Sequence, residues 1–342
     1  MNLKELSAAL GLSQTTVSRA LNGYPEVSEA TRKRVREFAK AHNYRPNLRA
    51  KQLATGRTMA IGHVIPTSGK HEIVNPIFAD FISGAGEVYS ENGYDLLLSV
   101  VRDDEQEQTY RDLAQRGAVD GVVIHAPEQN DPRIAYLEDI GVPFAVHGRA
   151  GQQSPDYCWV DVDNYGAIRL ATDHLLDLGH TRIALLNGIE TIDFAQQRRR
   201  AFCDALEARG LHPDPDIMFA GEMTEYEGYR NARACLDHPN PPTAIIASSI
   251  IMTIGVRRLV QTRGLSLGTD VSLVTYDDDL SYLRNGIEQP IYTAVKSSVR
   301  EAGSILAQNL LKTIHDQSAP RPNHLLSAEL IIGQTTGPCV TS

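Results

Sequence analysis

The residues best suited to chemistry in this sequence form two groups, one near the start of the chain and one spread through its body. The first is a run of hydroxyl and amide side chains from Ser13 to Ser18 that ends at Arg19. Gln can make two hydrogen bonds to adenine, Arg can make two to guanine, and the methyl group of Thr can contact thymine. These residue types in this order predict contact with base edges in the major groove of DNA.

The distribution of charge agrees with that prediction. Residues 1–58 hold 11 Lys and Arg against 4 Asp and Glu, a net charge of +7, whereas the whole chain carries −9. Residues 59–342 therefore carry a net charge of −16. A short basic head on a large acidic body predicts one region for a polyanion and another for a different partner.

Three short helices would position the first group. Leucines at helical spacing over 3–10 predict a first helix, which Gly11 interrupts. Ser13 can cap a second helix, and Ser28 can cap a third over 29–42. This is the layout of a helix-turn-helix, whose second helix enters the major groove with its N-terminal residues on the bases. Basic residues of the third helix would hold phosphates, which position the protein without reading sequence.

The body alternates buried strands with helices from residue 60 onward. Its strands include AIGHVIP over 60–66, DGVVIHA over 120–126 and RIALLNG over 182–188. The alternation predicts two similar α/β halves, each with a parallel sheet covered on both faces. Ligands bind beyond the carboxyl ends of the strands in such sheets, so two facing halves predict one cleft.

The head resembles the DNA-binding head of the lactose-repressor (LacI/GalR) family of transcriptional regulators. The T-V-S-R-A-L-N run, the V-S-x-x-T-R start of the third helix and the N-Y-R-P-N exit match in order and spacing. The resemblance runs to about residue 338, through NPIF at 75–78, VDVDNYGA at 160–167 and RRRAF at 198–202. It implies an all-α head and hinge helix, followed by a two-lobed α/β body with parallel sheets, like that of periplasmic binding proteins.

The same resemblance implies the domain boundaries. The helix-turn-helix domain would span 1–46, the hinge helix and linker 47–58, and the effector-binding domain 59–338. The first lobe would take about 59–160 and 291–322, and the second about 161–290 and 323–338.

A hinge helix in this family orders on operator DNA and wedges a leucine into the minor groove, and Leu53 matches that leucine. Residues 48–54 are too few for a stable isolated helix, which suits a segment that orders only on DNA. The residues expected to contact DNA are Ser13, Gln14, Thr15, Ser18, Arg19, Asn22, Thr31, Lys33, Tyr44, Asn47, Ala50 and Leu53.

In the cleft, Arg198 matches the family's ligand-holding arginine, whose planar fork suits adjacent hydroxyls or a carboxylate. Asp277 matches the aspartate after the last strand of the second lobe, an acceptor for sugar hydroxyls. The Ser-Ser pair at 248–249 replaces an Asn-Asp pair of the family, so direct contact there stays open. An extra stretch at 68–73 would widen the cleft for a disaccharide. The expected effector-binding residues are Asn75, Phe78, His147, Arg149, Arg198, Met223, Ser249 and Asp277.

Other protein classes fit the sequence less well. An enzyme is not expected, because no P-loop, G-x-S-x-G or H-E-x-x-H motif occurs and the G-x-G at 84–86 lies within a predicted helix. A periplasmic binding protein would need an export signal, which the start MNLKELSAAL does not provide, and would lack the helix-turn-helix. No apolar run is long enough to span a membrane. Four widely spaced cysteines favour free thiols in a reducing cytoplasm.

We therefore expect a cytoplasmic homodimeric regulator, a repressor of genes for carbohydrate uptake or catabolism. It would bind pseudo-palindromic operator DNA and respond to a small-molecule effector, a sugar or disaccharide, without a cofactor or a metal. Two alternatives stay open: the same fold could respond to a nucleobase or another non-sugar ligand, or its cleft could bind nothing.

Overall fold

The computed structural model divides into a head, residues 1–58, and a body, residues 59–342. It describes residues 1–21, 23–42, 44, 57–66, 75–151, 156–316 and 318–339. These residues contain eleven α-helices and two six-stranded sheets, which confirms the predicted fold class. In this described part of the chain, no helix is both long enough and apolar enough to cross a membrane.

The head consists of α1 (Leu3–Leu10), α2 (Gln14–Leu21) and α3 (Glu29–Ala41). Gly11 ends α1 with φ +63°, in the left-handed region that favours glycine. The predicted cap of α2 is present, since Ser13 Oγ accepts a hydrogen bond from the Thr16 amide at 3.0 Å. Apolar side chains from all three helices and the α2–α3 loop close a small core, namely Leu6, Leu10, Val17, Ala20, Val27, Val35 and Ala39.

Two arginines of α3 join it to the rest of the head. Arg34 donates to the carbonyl of Leu10 at 2.5 Å, and Arg32 donates to the carbonyl of Gly23 at 3.1 Å. Both carbonyls lie at or just beyond a helix end, where backbone oxygens lack a partner within the helix. These two basic side chains therefore have a structural role in the head.

The body begins with the elements of its first lobe. In chain order these are β1 (Ala60–Pro66), α4 (Pro76–Glu91), β2 (Asp95–Val101), a 3-10 turn (Asp103–Glu105), α5 (Gln106–Gln115), β3 (Gly121–His125), α6 (Pro132–Asp139), β4 (Phe144–His147) and β5 (Cys158–Val162). The chain then enters the second lobe.

The remaining elements build the second lobe and complete the first. They are α7 (Asn164–Asp177), β6 (Ile183–Asn187), α8 (Asp193–Ala208), a 3-10 turn (Pro215–Ile217), β7 (Met218–Ala220), α9 (Glu225–Asp237), β8 (Ala244–Ala247), α10 (Ile250–Thr262), β9 (Ser272–Asp277), β10 (Thr293–Lys296), α11 (Val299–His315), β11 (Asn323–Leu326) and β12 (Glu329–Ile331).

The first sheet has the strand order β11-β5-β4-β3-β1-β2, and all its pairs are parallel. The second has the order β12-β10-β9-β8-β6-β7 and is parallel except for the antiparallel pair β10–β12. Strands β3 and β9 are buried throughout, as expected where helices cover both faces of a sheet.

The expected lobe boundaries at 291–322 and 323–338 are wrong by one strand each. Strand β10 lies beside β9 in the second sheet, whereas β11 lies beside β5 in the first. The chain therefore returns to the first lobe only after Lys296 and leaves it after Leu326. The error has a physical cause: short edge and penultimate strands carry little information about the sheet they join, because pairing is set by long-range contacts.

Helices α4 and α11 pack at unusually short range. A Cβ atom added to Gly84 of α4 would lie 2.1 Å from the carbonyl oxygen of Arg300 in α11, and one added to Gly303 would lie 2.2 Å from that of Phe81. The absence of a side chain at these two glycines allows α4 and α11 to touch along their backbones. This contact fixes the position of α4, which carries Phe78 and Phe81 in the cavity wall.

Candidate functional sites

The head presents one polar face of α2. Gln14, Thr15 and Arg19 are exposed, and no side chain of the three makes a hydrogen bond to the part of the chain that the structure describes. Ser13 is exposed as well, although its hydroxyl caps α2, and Ser18 is half-buried. The structure thus leaves the side chains with the best base-reading chemistry available for a partner.

The neighbouring helix α3 adds positive charge. Lys33 is exposed, whereas Thr31 is half-buried with its hydroxyl against that of Ser28 at 2.9 Å. Tyr44 packs on the head's core, and burial raises the pKa of its hydroxyl. The remaining expected DNA contacts lie outside the described residues, namely Asn22, Asn47, Ala50 and Leu53.

The body contains a cavity of about 360 Å³ at the carboxyl ends of the strands of both lobes. This volume lies in the range of small-molecule sites. Much of the wall is apolar or aromatic: Ile77, Phe78, Phe81, Ile189, Phe194, Met223 and Ile251. Of the expected effector-binding residues, six line it, namely Asn75, Phe78, His147, Arg149, Arg198 and Met223.

Arg198 is the most constrained polar group in the cavity. It lies in the first turns of α8 and is only 5% exposed. Its Nε donates to Asn164 Oδ1 and its Nη1 to the carbonyl of Ser248, both at 2.8 Å. The guanidinium carbon lies 3.8 Å from the ring centre of Tyr276. Two hydrogen bonds and a stacked ring hold the plane of the guanidinium, which leaves Nη2 as its free donor among the described residues.

The aspartate that lines the cavity is Asp278, whereas the expected Asp277 does not line it. Asp278 lines the cavity, and its Oδ2 is buried without a hydrogen-bond partner among the described residues. Asp277 ends β9 with its side chain away from the cavity, where it accepts from the Asp279 amide at 2.9 Å. The physical reason is that successive side chains of a strand point to opposite sides.

Burial also sets the charge of Asp278. Removal from water raises the pKa of its carboxyl to about 7, since burial disfavours the charged form. The Arg198 guanidinium opposes this rise, and the carboxylate of Asp277 adds to it. The carboxyl therefore changes charge near neutral pH, and it does so inside a ligand-sized cavity.

The serine that lines the cavity is Ser248, whereas the expected Ser249 does not line it. Ser249 is fully buried, and its Oγ caps α10 by accepting from the Ile251 amide at 3.1 Å. Ser248 lines the cavity; its hydroxyl donates to Asn187 Oδ1 at 3.2 Å, and its carbonyl holds Arg198. A Ser-Ser pair at the end of a strand thus divides into one lining residue and one helix cap.

A chain of polar contacts crosses from the first lobe to the second beneath the cavity. Arg149 donates from Nε to Asp161 Oδ2 at 2.8 Å, and the guanidinium lies 5.3 Å from the ring centre of Trp159. Asn164 donates from Nδ2 to Asp161 Oδ1 at 3.3 Å and accepts from Arg198. Arg149 is therefore engaged within the protein, and this chain sets the position of Arg198.

The first-lobe wall carries aromatic side chains and histidines. Asn75 caps α4 by accepting from the Ile77 amide at 3.1 Å, and Phe78 lies one turn on. The ring of His147 stacks on that of Phe81, with 4.2 Å between the ring centroids.

 The planes of those two rings are inclined by 25°, which is a stacked arrangement. Burial lowers the pKa of His147 to about 4, so this imidazole is neutral at physiological pH.

Sequence reasoning missed several lining residues, and their signals were of two kinds. Asp161 and Asn164 lie in the VDVDNYGA segment that was noted at 160–167, so a residue-by-residue reading of that segment could have found them. His125 ends β3 as His147 ends β4, and position near the end of a predicted strand was the available signal. Phe194 and Tyr276 lie against Arg198, a contact that needs the folded chain.

The two lobes touch along one rim of the cavity. The Asp193 amide at the start of α8 donates to the carbonyl of Pro127 at 3.0 Å, and Asp193 Oδ1 accepts from the Gly151 amide at 3.2 Å. Glu128 and Ile192 form an isolated antiparallel bridge beside these bonds. We call these contacts the interlobe rim, and they join the two lobes at one side of the cavity.

Comparisons with known proteins find matches to both the head and the body. Residues 2–47 match the sequence model described as bacterial regulatory proteins of the lacI family, and residues 172–336 match a periplasmic binding protein-like domain. The HTH-type transcriptional regulator AglR of Rhizobium meliloti is 42% identical over 339 residues, which cover 99% of this chain and 95% of that protein. The regulator RafR of Escherichia coli is 37% identical over 280 residues, covering 81% and 82%.

A solved structure extends the similarity to the whole fold. The transcriptional regulator CelR in complex with cellobiose is similar with a TM-score of 0.72 and 28% identity, over 98% of this chain and 99% of that chain. The matched head, the matched body and the relatives at full length confirm the resemblance seen in the sequence. The chain belongs to the lacI family of bacterial regulatory proteins and is a DNA-binding transcriptional regulator, not an enzyme.

Proposed function

We propose that this regulator is a homodimeric repressor of genes for carbohydrate uptake or catabolism, and that a neutral sugar in the interlobe cavity controls it. The observation that carries the effector half is the buried Asp278 Oδ2, which has no partner in the described chain and lies in a cavity that also contains Arg198. A buried acceptor without a partner is costly, so a ligand hydroxyl that donates to it binds favourably.

A sugar fits the chemistry of the whole cavity. Neighbouring hydroxyls of one ring can accept from Arg198 Nη2 and donate to the Asp278 carboxylate, while Phe78 and Phe194 offer apolar surface to the C–H face of the ring. The similar CelR structure is described as a complex with cellobiose, which supports a sugar as the ligand class.

The DNA half of the proposal uses the exposed face of α2. Gln14, Thr15 and Arg19 would contact base edges, and Lys33 would contact phosphate. One head reads one half-site, so a homodimer would read a pseudo-palindrome. Residues 47–58 would form the hinge that carries Leu53 into the minor groove.

Effector and operator would be linked through the geometry of the lobes. If the sugar favours one lobe arrangement and the operator another, each lowers the affinity for the other by the same factor. The sugar would thereby release the operator, as an inducer does.

The effector is tested by calorimetry on the full-length protein with glucose, galactose, cellobiose, lactose and maltose, with adenine and guanine as comparators. We expect saturable binding of at least one sugar and none of either base. Binding of a base alone would replace the sugar by a non-sugar effector, and no binding in the whole panel would contradict effector control by these ligands.

The operator is tested by selection from random duplexes, first alone and then with the sugar that binds. We expect enrichment of pseudo-palindromes, binding of one dimer per site, and affinity that falls steeply with salt because of the +7 head. Equal binding to selected and scrambled duplexes would contradict operator recognition. Tighter operator binding in the presence of the sugar would show that the sugar is a co-repressor and not an inducer.

A further inference from the structure

Three histidines lie on adjacent strands of the first sheet. His63 is in the middle of β1, whereas His125 and His147 end β3 and β4. His125 and His147 line the cavity, and His63 is fully buried behind them. Among the described residues, no group of His, Cys, Asp and Glu is arranged to hold a metal ion, so metal binding does not explain this cluster of imidazoles.

His63 connects the cavity wall to a buried tyrosine. Its Nδ1 lies 3.0 Å from His125 Nε2, and its Nε2 lies 3.3 Å from the hydroxyl of Tyr89 in α4. Tyr89 is 1% exposed, and His63 is the hydrogen-bond partner of its hydroxyl in the described chain. We call these three side chains, Tyr89, His63 and His125, the histidine relay.

The direction of the relay follows from the number of protons. Burial lowers the pKa of His63 to about 3 and that of His125 well below its usual value, so each ring carries one N–H. The Tyr89 hydroxyl has one proton, and leaving it without an acceptor in the core is unfavourable. Tyr89 therefore donates to His63 Nε2, and His63 must carry its proton on Nδ1, which donates to His125 Nε2.

His125 is then left with its proton on Nδ1. That nitrogen makes no hydrogen bond to the described chain, and it is not fully buried. His125 also lines the cavity, so a ligand can reach this nitrogen. The edges of Phe78 and Phe81 contact the ring at 5.2 Å and 5.1 Å between centroids, nearly perpendicular to it. These contacts, with the bond to His63, hold the orientation of the ring.

We propose that Tyr89 and His63 fix the proton of His125 on Nδ1, so that His125 presents a hydrogen-bond donor from the first-lobe wall to an acceptor oxygen of the sugar. The cavity then has a fixed donor on one lobe, opposed to the acceptor Asp278 on the other. Tyr89 and His63 are positioning residues that never touch the ligand. The relay is a property of the free protein, whereas its use in recognition rests on the proposed sugar effector.

The relay is tested first without ligand. Two-bond ¹H–¹⁵N spectra of the full-length protein with ¹⁵N-labelled histidine distinguish the two neutral tautomers, and the His63→Gln and His125→Gln spectra assign the signals. We expect both His63 and His125 to carry hydrogen on Nδ1 at pH 7.5. In Tyr89→Phe, we expect His125 signals averaged between the tautomers. A His125 with its proton on Nε2, or a second proton on the ring, would overturn the proposal.

Recognition is tested by calorimetry with cellobiose, or with the sugar of the same panel that binds wild-type protein. We expect His125→Leu to bind the sugar about tenfold more weakly, because the donor is lost. We expect Tyr89→Phe to bind it about threefold more weakly, because the His125 ring is then free to change tautomer. The matched control is Tyr110→Phe, a buried tyrosine of α5 on the other side of the same sheet. Equal losses in Tyr89→Phe and Tyr110→Phe would contradict the role in recognition. If no sugar binds wild-type protein, the proposed function fails and the tautomer spectra still decide the relay.

Discussion

Two neighbouring aspartates have different surroundings, although they are chemically identical. Asp277 accepts a backbone hydrogen bond, whereas Asp278 lines the cavity and its Oδ2 is buried without a partner in the described chain. The difference comes from the alternation of side chains at the end of β9. This pair offers a matched comparison, since the same substitution at adjacent positions changes charge and size equally.

We expect Asp278→Asn to weaken sugar binding about tenfold, and Asp277→Asn to change it much less. Because a hydroxyl donates best to the ionised carboxylate, wild-type affinity should fall as the pH drops from 8 to 6, through the pKa of about 7. Asp278→Asn should remove that dependence. Calorimetry across this pH range measures both effects, and a pH profile that survives in Asp278→Asn would assign the titration to another group.

The exposed face of α2 allows a similar comparison in the head. Arg19→Ala and Gln14→Ala should each relax the preference at individual base pairs by about 1–3 kcal/mol, as the loss of a base contact does. Lys33→Ala should weaken all duplexes alike, because phosphate contacts carry no sequence information. Selection of random duplexes by each variant gives the preference profile. Unchanged profiles in the first two would place base reading on another element.

The start of α8 performs two tasks within two turns. Its first residue, Asp193, joins the lobes at the interlobe rim, and Arg198 faces the cavity from the same helix. Because a helix is stiff over this length, a ligand held by Arg198 and a closed rim constrain one another. If the proposed effector binds in the cavity, its binding and the contacts of the interlobe rim would be coupled through this one helix.

Asp193→Ala should remove the bond to the Gly151 amide and weaken closure by about 1 kcal/mol. We expect faster hydrogen exchange at Gly151 and a severalfold lower affinity for the sugar. Asp204→Ala is the control from the same helix, because its carboxylate accepts from Tyr165 at 2.7 Å within the second lobe. If both variants behave alike, the rim does not contribute to closure.

The elements of this fold were predictable to different degrees. Local signals sufficed for the head, where Gly11 and Ser13 end and begin helices, and for the alternation of buried strands and helices in the body. The sheet that β10 and β11 join was not predictable, because it depends on pairing between distant residues. The same limit applies to the cavity. The predicted strand ends indicated where its polar residues lie, but the folded backbone decides which of two neighbouring side chains, such as Asp277 and Asp278, lines it.

The neutral histidines make the stability of the whole protein sensitive to acid. Burial lowers the pKa of His63 to about 3 and that of His147 to about 4, so their contribution is present above pH 6.5 and is lost as the pH falls toward those values. Asp278 has the opposite sign, because its raised pKa favours the protonated form and its contribution is lost as the pH rises toward 7. The raised pKa values of Asp161, Asp193 and Asp277 act in the same direction as that of Asp278. The pKa values of His63, His125 and His147 are lowered by larger amounts, so acid should destabilise the body.

We expect the free energy of unfolding to fall by a few kcal/mol between pH 7 and pH 4.5, measured by urea denaturation. His63→Gln should make this dependence shallower, because one buried imidazole no longer titrates. The exposed His212→Gln is the control and should leave the slope unchanged. Equal slopes in wild type and His63→Gln would contradict the assignment to this histidine.

The exchange of strands between the lobes has a consequence for the time at which each lobe can form during translation. Five strands of the first sheet are complete at Val162, but α11 and β11 follow only at 299–326, after almost the entire second lobe. The second sheet in turn receives β12 at 329–331, beside β10. A growing chain therefore holds two unfinished sheets with exposed edge strands until the ribosome reaches the last tenth of the sequence, and both lobes then close almost together.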